Sequence, residues 1–200
     1  MSSQPVRPLH AVVVMAVLLA GLWVLEAVDQ LSGNALDVYG IHAREVDGLP
    51  EIFTAPLLHA GWEHLASNSV PFFAFGLLVM LGGLARWVVS SLVSIVSSGL
   101  AAWLLTPAGT IVLGASGLIF GWLTYLLLRG LWSRRPGQVA LAVVILFVYG
   151  GLLWGVLPGD SGISWQAHLG GAAGGVVAAW ALHRRDAGRR PTAPAPMAYR

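Results

Sequence analysis

The chain has 200 residues, of which 56% are hydrophobic and 10% charged, with a mean hydropathy of +0.75 and a formal net charge of +2. No soluble domain of this size could hide so much apolar surface in one core, so the composition describes an all-α polytopic membrane protein. It contains no cysteine, which excludes a disulfide, a thiolate nucleophile and a thiolate metal site.

Six apolar runs follow one another, near Leu9–Ala27, Trp62–Gly82, Trp87–Leu105, Ile111–Leu128, Val139–Leu157 and Ser164–Leu182. Each is about as long as a hydrocarbon core of about 30 Å requires. None alternates, so all six are expected to be helices, because lipid leaves the backbone no other way to satisfy its polar groups outside a closed barrel. The first run follows Arg7, as the apolar run of a secretory signal follows its basic start; it is expected to be retained, because five more runs follow it. The membrane domain is expected to span residues 1–183. Residues 184–200, rich in Arg, Pro and Ala, read as a disordered basic cytoplasmic tail.

Charge sets the expected orientation. There is no lysine, and every arginine except Arg44 falls in the termini or in the loops after the second and fourth runs. The positive-inside rule then puts both termini in the cytoplasm. Asp29, Asp37, Glu45, Asp47, Glu51, Glu63 and Asp160 gather on or near the other side. Nothing in this pattern suggests nucleic-acid binding.

With that orientation the second, fourth and sixth runs all descend from the outer face. His64 and Asn68, four apart and so on one helix face, come out at about the same depth as Ser116 and His168. Taken singly, each has an ordinary reading as helix packing or polar glue. Together, on three helices of one direction, they describe a cavity with a hydroxyl, two imidazoles and a carboxamide, and intramembrane polar groups of this kind are usually functional. Gly114 and Gly117 bracket the serine, and Gly170-Gly171 with Gly174-Gly175 form two overlapping GxxxG patterns that would let the sixth helix pack closely on the fourth. Phe120, four residues after Ser116, is positioned to lie under the imidazole. Ser90, Ser91, Ser94, Ser97 and Ser98 in the third run read as small-residue packing. No acidic residue sits at that depth within the fourth or sixth run, so the pair would be a dyad.

His59-x4-His64-x3-Asn68, Gly-Ala-Ser-Gly-x-x-Phe-Gly from Gly114 to Gly121, and Ala-His-x-x-Gly-x-x-x-Gly from Ala167 to Gly175 together resemble the rhomboid family of intramembrane serine proteases. The resemblance covers about residues 50 to 178. It implies the six-helix rhomboid bundle, Ser116 as nucleophile, His168 as general base, and His64, Asn68 and the Ser116 amide as oxyanion-binding groups. It further implies that His59 braces the outer loop, and that Gly114, Gly117, Phe120, Gly171 and Gly175 support the site. The implied partners are transmembrane protein substrates and the lipid bilayer of a bacterial cell membrane, with no cofactor and no metal. Two positions depart from the family's usual pattern: Pro50-Glu51 stands where a Trp-Arg pair is common, and Met80 where a glutamate is common.

Three other readings fit the residues less well. A zinc peptidase fails on spacing, because HExxH is absent and His59 and His64, five apart, diverge by about 140° around a helix. A transporter would carry intramembrane charges or broken repeat helices. A catalytically silent rhomboid-like chaperone or adaptor would have no use for Ser116 and His168 together.

Overall fold

The computed structural model describes residues 5–159 and 162–184. The tail expected from residue 184 onward, and Asp160, lie essentially outside the described residues. Six α-helices are present among them: α1 (Pro8–Leu31), α2 (Trp62–Met80), α3 (Leu84–Leu105), α4 (Ser116–Ser133), α5 (Pro136–Tyr149) and α6 (Trp165–His183). Three stretches among the described residues are long and apolar enough to cross a membrane, namely Pro8–Leu31, Leu84–Leu105 and Pro136–Val156. The other three helices, α2, α4 and α6, have 19, 18 and 19 residues and carry His64, Asn68, Ser116 and His168.

The chain differs from the sequence expectation at the start of the fourth run. Ile111–Val112 is a two-residue strand, β2, paired antiparallel with β1 (Ile41–His42), and the helix begins only at Ser116. The cause is local. Pro107 and Gly109 (φ +79°) follow the end of α3, and Gly114 (φ +124°) holds a conformation that a side chain would resist. The backbone between them is satisfied by the connection between α1 and α2: Ala43 N–H donates to Thr110 O at 3.0 Å, and Gly114 N–H to Ala55 O at 2.9 Å. The fifth run likewise changes character, becoming a 3₁₀ segment over Gly150–Val156 after α5 ends.

The long connection between α1 and α2 is folded onto the bundle. Trp103 Nε1–H donates to Glu45 O at 2.6 Å, and Arg44 N–H to Trp103 O at 3.0 Å. Ile52 packs so closely on Gly99 of α3 that a Cβ there would overlap it. Pro50 and Glu51 start the 3₁₀ turn that presents Ile52, and a Glu51 carboxylate oxygen accepts from His42 N–H at 3.3 Å. Met80, at the other position that departs from the family pattern, is buried in the main core with Met15, Phe75, Trp122 and Tyr125. Met15 of α1 fills the space left by Gly76 of α2.

Beside that core, three helices join with only small side chains between them. Gly171 and Gly175 of α6 lie on Gly117 and Gly121 of α4, so closely that a Cβ at Gly171 would overlap the Gly117 carbonyl. Gly170 and Gly174 turn the other way, against Ser97, Ser98 and Ala101 of α3. Ser94 and Ser98 in turn meet Gly121 and Gly117, and Ser98 Oγ–H donates to Ala167 O at 2.9 Å. Thr124 Oγ1–H donates to Ala172 O at 2.8 Å. The two GxxxG patterns thus serve two partners at once, and the serines of α3 are the small residues that complete the second contact.

This packing makes a sharp prediction. Gly171→Ala puts a methyl against rigid backbone and should lower stability by roughly 1–3 kcal/mol, the usual cost of overpacking. Gly137→Ala, at a position with nothing within 4 Å of the added carbon, should leave the melting midpoint unchanged or raise it. Thermal melts of both variants in one detergent check the pair.

Candidate active site

The first turns of α2, α4 and α6 meet at one end of the bundle around a cavity of about 670 Å³, which His64, Asn68, Ser116 and His168 line together. The four polar groups expected to share one depth are therefore brought together. Ile52, Ile111, Leu152 and Trp165 supply apolar wall, the mixture of greasy surface and a few convergent polar groups that ligand sites typically show.

Ser116 is the first residue of α4. Ile119 N–H, bonded to Ala115 O at 3.0 Å, makes the first turn's closing bond, so the amides of Ser116, Gly117 and Leu118 have no carbonyl one turn back within the helix. The Ser116 side chain lies 2.8 Å from His168 Nε2. His168 Nδ1 is 2.9 Å from Gly155 O. A carbonyl only accepts, so Nδ1 carries the proton, and in the neutral ring Nε2 is left as the acceptor for the Ser116 hydroxyl. Phe120 stacks on the same imidazole with centroids 4.1 Å apart and planes 13° apart. One ring is thus held by three contacts, two from α4 and one from the 3₁₀ segment after α5. Gly155 was not legible as a site residue in the sequence: it acts through its carbonyl, and its lack of a side chain is what admits the ring, since a Cβ there would stand 3.2 Å from His168 Nδ1 and 2.9 Å from Phe120 Cζ.

On the facing helix, Ala60 N–H donates to His64 Nδ1 at 3.4 Å, so the neutral imidazole carries its proton on Nε2. The ring lies flush against Gly114, where a Cβ would come within 2.6 Å of His64 Cε1. Asn68 is 7% exposed and its Nδ2 is buried without a hydrogen-bond partner. A buried amide donor left unpaired costs about 1–3 kcal/mol, a penalty that a folded chain rarely carries without a use for it.

His59, expected to brace the outer loop, reaches further than that. It sits in the loop ahead of α2, makes an edge contact with His64 at 5.2 Å between centroids, and its Nε2 accepts from Ala115 N–H at 3.4 Å. It therefore braces the residue immediately before Ser116. Gly117 lies against Ser98, and Gly171 and Gly175 hold α6 on α4, as described above.

The chain is similar to known proteins over most of its length. The family model of the Rhomboid domain matches residues 47–185. An uncharacterized protein of Mycobacterium tuberculosis is 47% identical over 169 residues, covering 80% of this chain and 70% of the relative. Rhomboid-like protein 11, chloroplastic, of Arabidopsis thaliana is 33% identical over 148 residues, 67% of this chain and 52% of the relative. Rhomboid protease GluP of Bacillus subtilis is 31% identical over 141 residues, 68% of this chain and 27% of the relative. The chain belongs to the rhomboid family.

His59 generates a prediction about pH. Burial holds its imidazole down to about 4, below the usual 6.5, and the neighbouring His64 adds to the effect. The native state therefore keeps His59 neutral while the unfolded chain protonates it below about pH 6.5. Its contribution to stability is whole above that pH and is lost progressively as the pH falls to about 4. Melting midpoints taken from pH 7 to pH 4 should fall less steeply in His59→Gln than in the unsubstituted protein.

Proposed function

We propose that this chain is an intramembrane serine endopeptidase that cleaves transmembrane segments of other membrane proteins near the outer face of a bacterial cell membrane. In this reading all six helices cross the bilayer and both termini are cytoplasmic. The observation that carries the proposal is the Ser116–His168 contact of 2.8 Å, with the histidine tautomer set by Gly155 O.

Ser116 Oγ attacks the scissile carbonyl as His168 Nε2 takes its proton, giving a tetrahedral intermediate and then an acyl-enzyme. The imidazolium returns the proton to the leaving amine, and the same histidine then activates the water that hydrolyses the ester. Negative charge on the carbonyl oxygen meets His64 Nε2–H, Asn68 Nδ2–H and the Ser116 amide at the start of α4, where the helix dipole adds to the attraction. A substrate helix hides its carbonyls in its own hydrogen bonds, so it must unwind locally before attack, which favours segments containing glycine, proline or small residues. The 18 residues of α4 span about 27 Å at about 1.5 Å each. That is short of a full hydrocarbon core, which supports a serine lying just below the surface where water can enter.

Ser116→Ala and His168→Ala should each abolish cleavage of a single-span substrate in liposomes without added metal, and Ser116→Ala should abolish labelling by a fluorophosphonate, with melting midpoints preserved. Activity retained in Ser116→Ala would sink the proposal and favour a silent chaperone or adaptor. Asn68→Ala separates catalysis from packing. Loss of one oxyanion donor should slow turnover by roughly 10²- to 10³-fold with little change in substrate affinity. Normal turnover with a lowered melting midpoint would instead make Asn68 helix glue.

A further inference from the structure

The opposite end of the bundle holds a second cavity that the proposed chemistry does not use. It has a volume of about 400 Å³, and Arg86, Arg129, Arg135 and Gln138 line it together with Leu78, Leu81, Leu141 and Pro5. Among the described residues, no aspartate or glutamate lines it. The sequence explains this: 81–86 and 128–141, the two connections that form it, contain arginine and no carboxylate.

Arg129 is the anomaly. It is 6% exposed, it sits over the face of Tyr125 at 5.8 Å from the ring centroid, and its Nε is buried with no hydrogen-bond partner. A buried guanidinium ordinarily finds a carboxylate or phosphate that its planar fork can grip. Two helix starts add to the positive potential. Arg86 lies in the first turn of α3, with one Nη donating to Gly82 O at 3.1 Å, and Arg135 caps α5; neither first turn carries an acidic residue. Both helices thus present the positive ends of their dipoles among cations instead of the anions that would balance them.

We propose that this cavity binds a phosphate anion, and specifically the headgroup phosphate of an anionic lipid. The lining favours the lipid over free phosphate because it is amphipathic: the arginines stand beside Leu78, Leu81 and Leu141, and the apolar surface continues along the exposed Val139, Val143 and Val144 of α5. A headgroup held by Arg129 and Arg135 would lay its acyl chains on that face. The assignment to the cytoplasmic leaflet rests on the orientation proposed above; binding itself does not depend on Ser116 or His168.

The test uses the full chain purified in a neutral detergent. Its melting midpoint is titrated separately with dioleoyl phosphatidylglycerol, dioleoyl phosphatidylcholine and inorganic phosphate. Phosphatidylglycerol should raise the midpoint saturably and the other two should not. Arg135→Gln, at an exposed position that tolerates change, should weaken the apparent lipid affinity roughly fivefold, the scale of one basic residue at an anionic surface. Arg129→Gln should weaken it at least as much, and Arg184→Gln, outside the cavity, should leave it unchanged. Equal affinity in the Arg135 variant and the unsubstituted protein would overturn the proposal, as would an equal loss in Arg184→Gln, which would mean diffuse charge attraction. A full shift from inorganic phosphate alone would overturn the lipid as occupant. Should Arg129→Gln fail to fold, Arg135→Gln decides alone.

Discussion

The structure depends on the approach of bare backbone to bare backbone where α6 crosses α4. Gly171 over Gly117 and Gly175 over Gly121 leave no room for a single Cβ, and the position of His168 relative to Ser116 follows from that, since the histidine is one turn before the first of these glycines. In lipid there is no hydrophobic drive between helices, so close van der Waals packing and hydrogen bonds must hold them. The serine-rich α3 supplies both: its side chains occupy the grooves the glycines leave, and Ser98 ties α6 directly through Ala167 O. Ser116 and His168 thus stand on two closely apposed helices, the kind of rigid support that a site held to within about 0.5 Å needs.

That arrangement has a cost in hydropathy. α2, α4 and α6, which carry the polar groups and the glycines, fall short of the apolarity of a self-sufficient span, whereas α1, α3 and the α5 segment reach it. α4 is buried along most of its length, while α1 and α5 expose apolar side chains such as Val13, Val17, Val24, Val143 and Phe147. Sidedness runs through the same design, with the hydroxyl and imidazoles at one end and Arg86, Arg129 and Arg135 at the other.

Much of this was legible in the sequence because it is carried by side chains at helical spacing. His64 and Asn68 four apart, Ser116 and Phe120 four apart, and the repeated GxxxG after His168 each state a face of a helix. Three features were not legible, for different reasons. The strand Ile111–Val112 is too short to show a period and continues an apolar run, so the pattern alone predicts a helix that starts too early; Gly114 at φ +124° marks the break. Gly155 contributes a carbonyl, and every residue has one. The second face of the α6 glycines, Gly170 and Gly174 on α3, needed the three-helix geometry to be seen, since the spacing alone is satisfied by one partner.

The carbonyl of Gly155 has a consequence of its own. In a triad the group that orients the histidine is a carboxylate, which can be deleted by one substitution and neutralised by acid. A peptide oxygen can be neither mutated away nor titrated in any accessible range. The imidazole here is aimed by the path of the main chain between α5 and α6, so whatever shifts that short 3₁₀ segment re-aims the ring while every side chain of the site stays the same. Evolution could detune such a pair through loop length or a proline in the segment, leaving its sequence motifs intact.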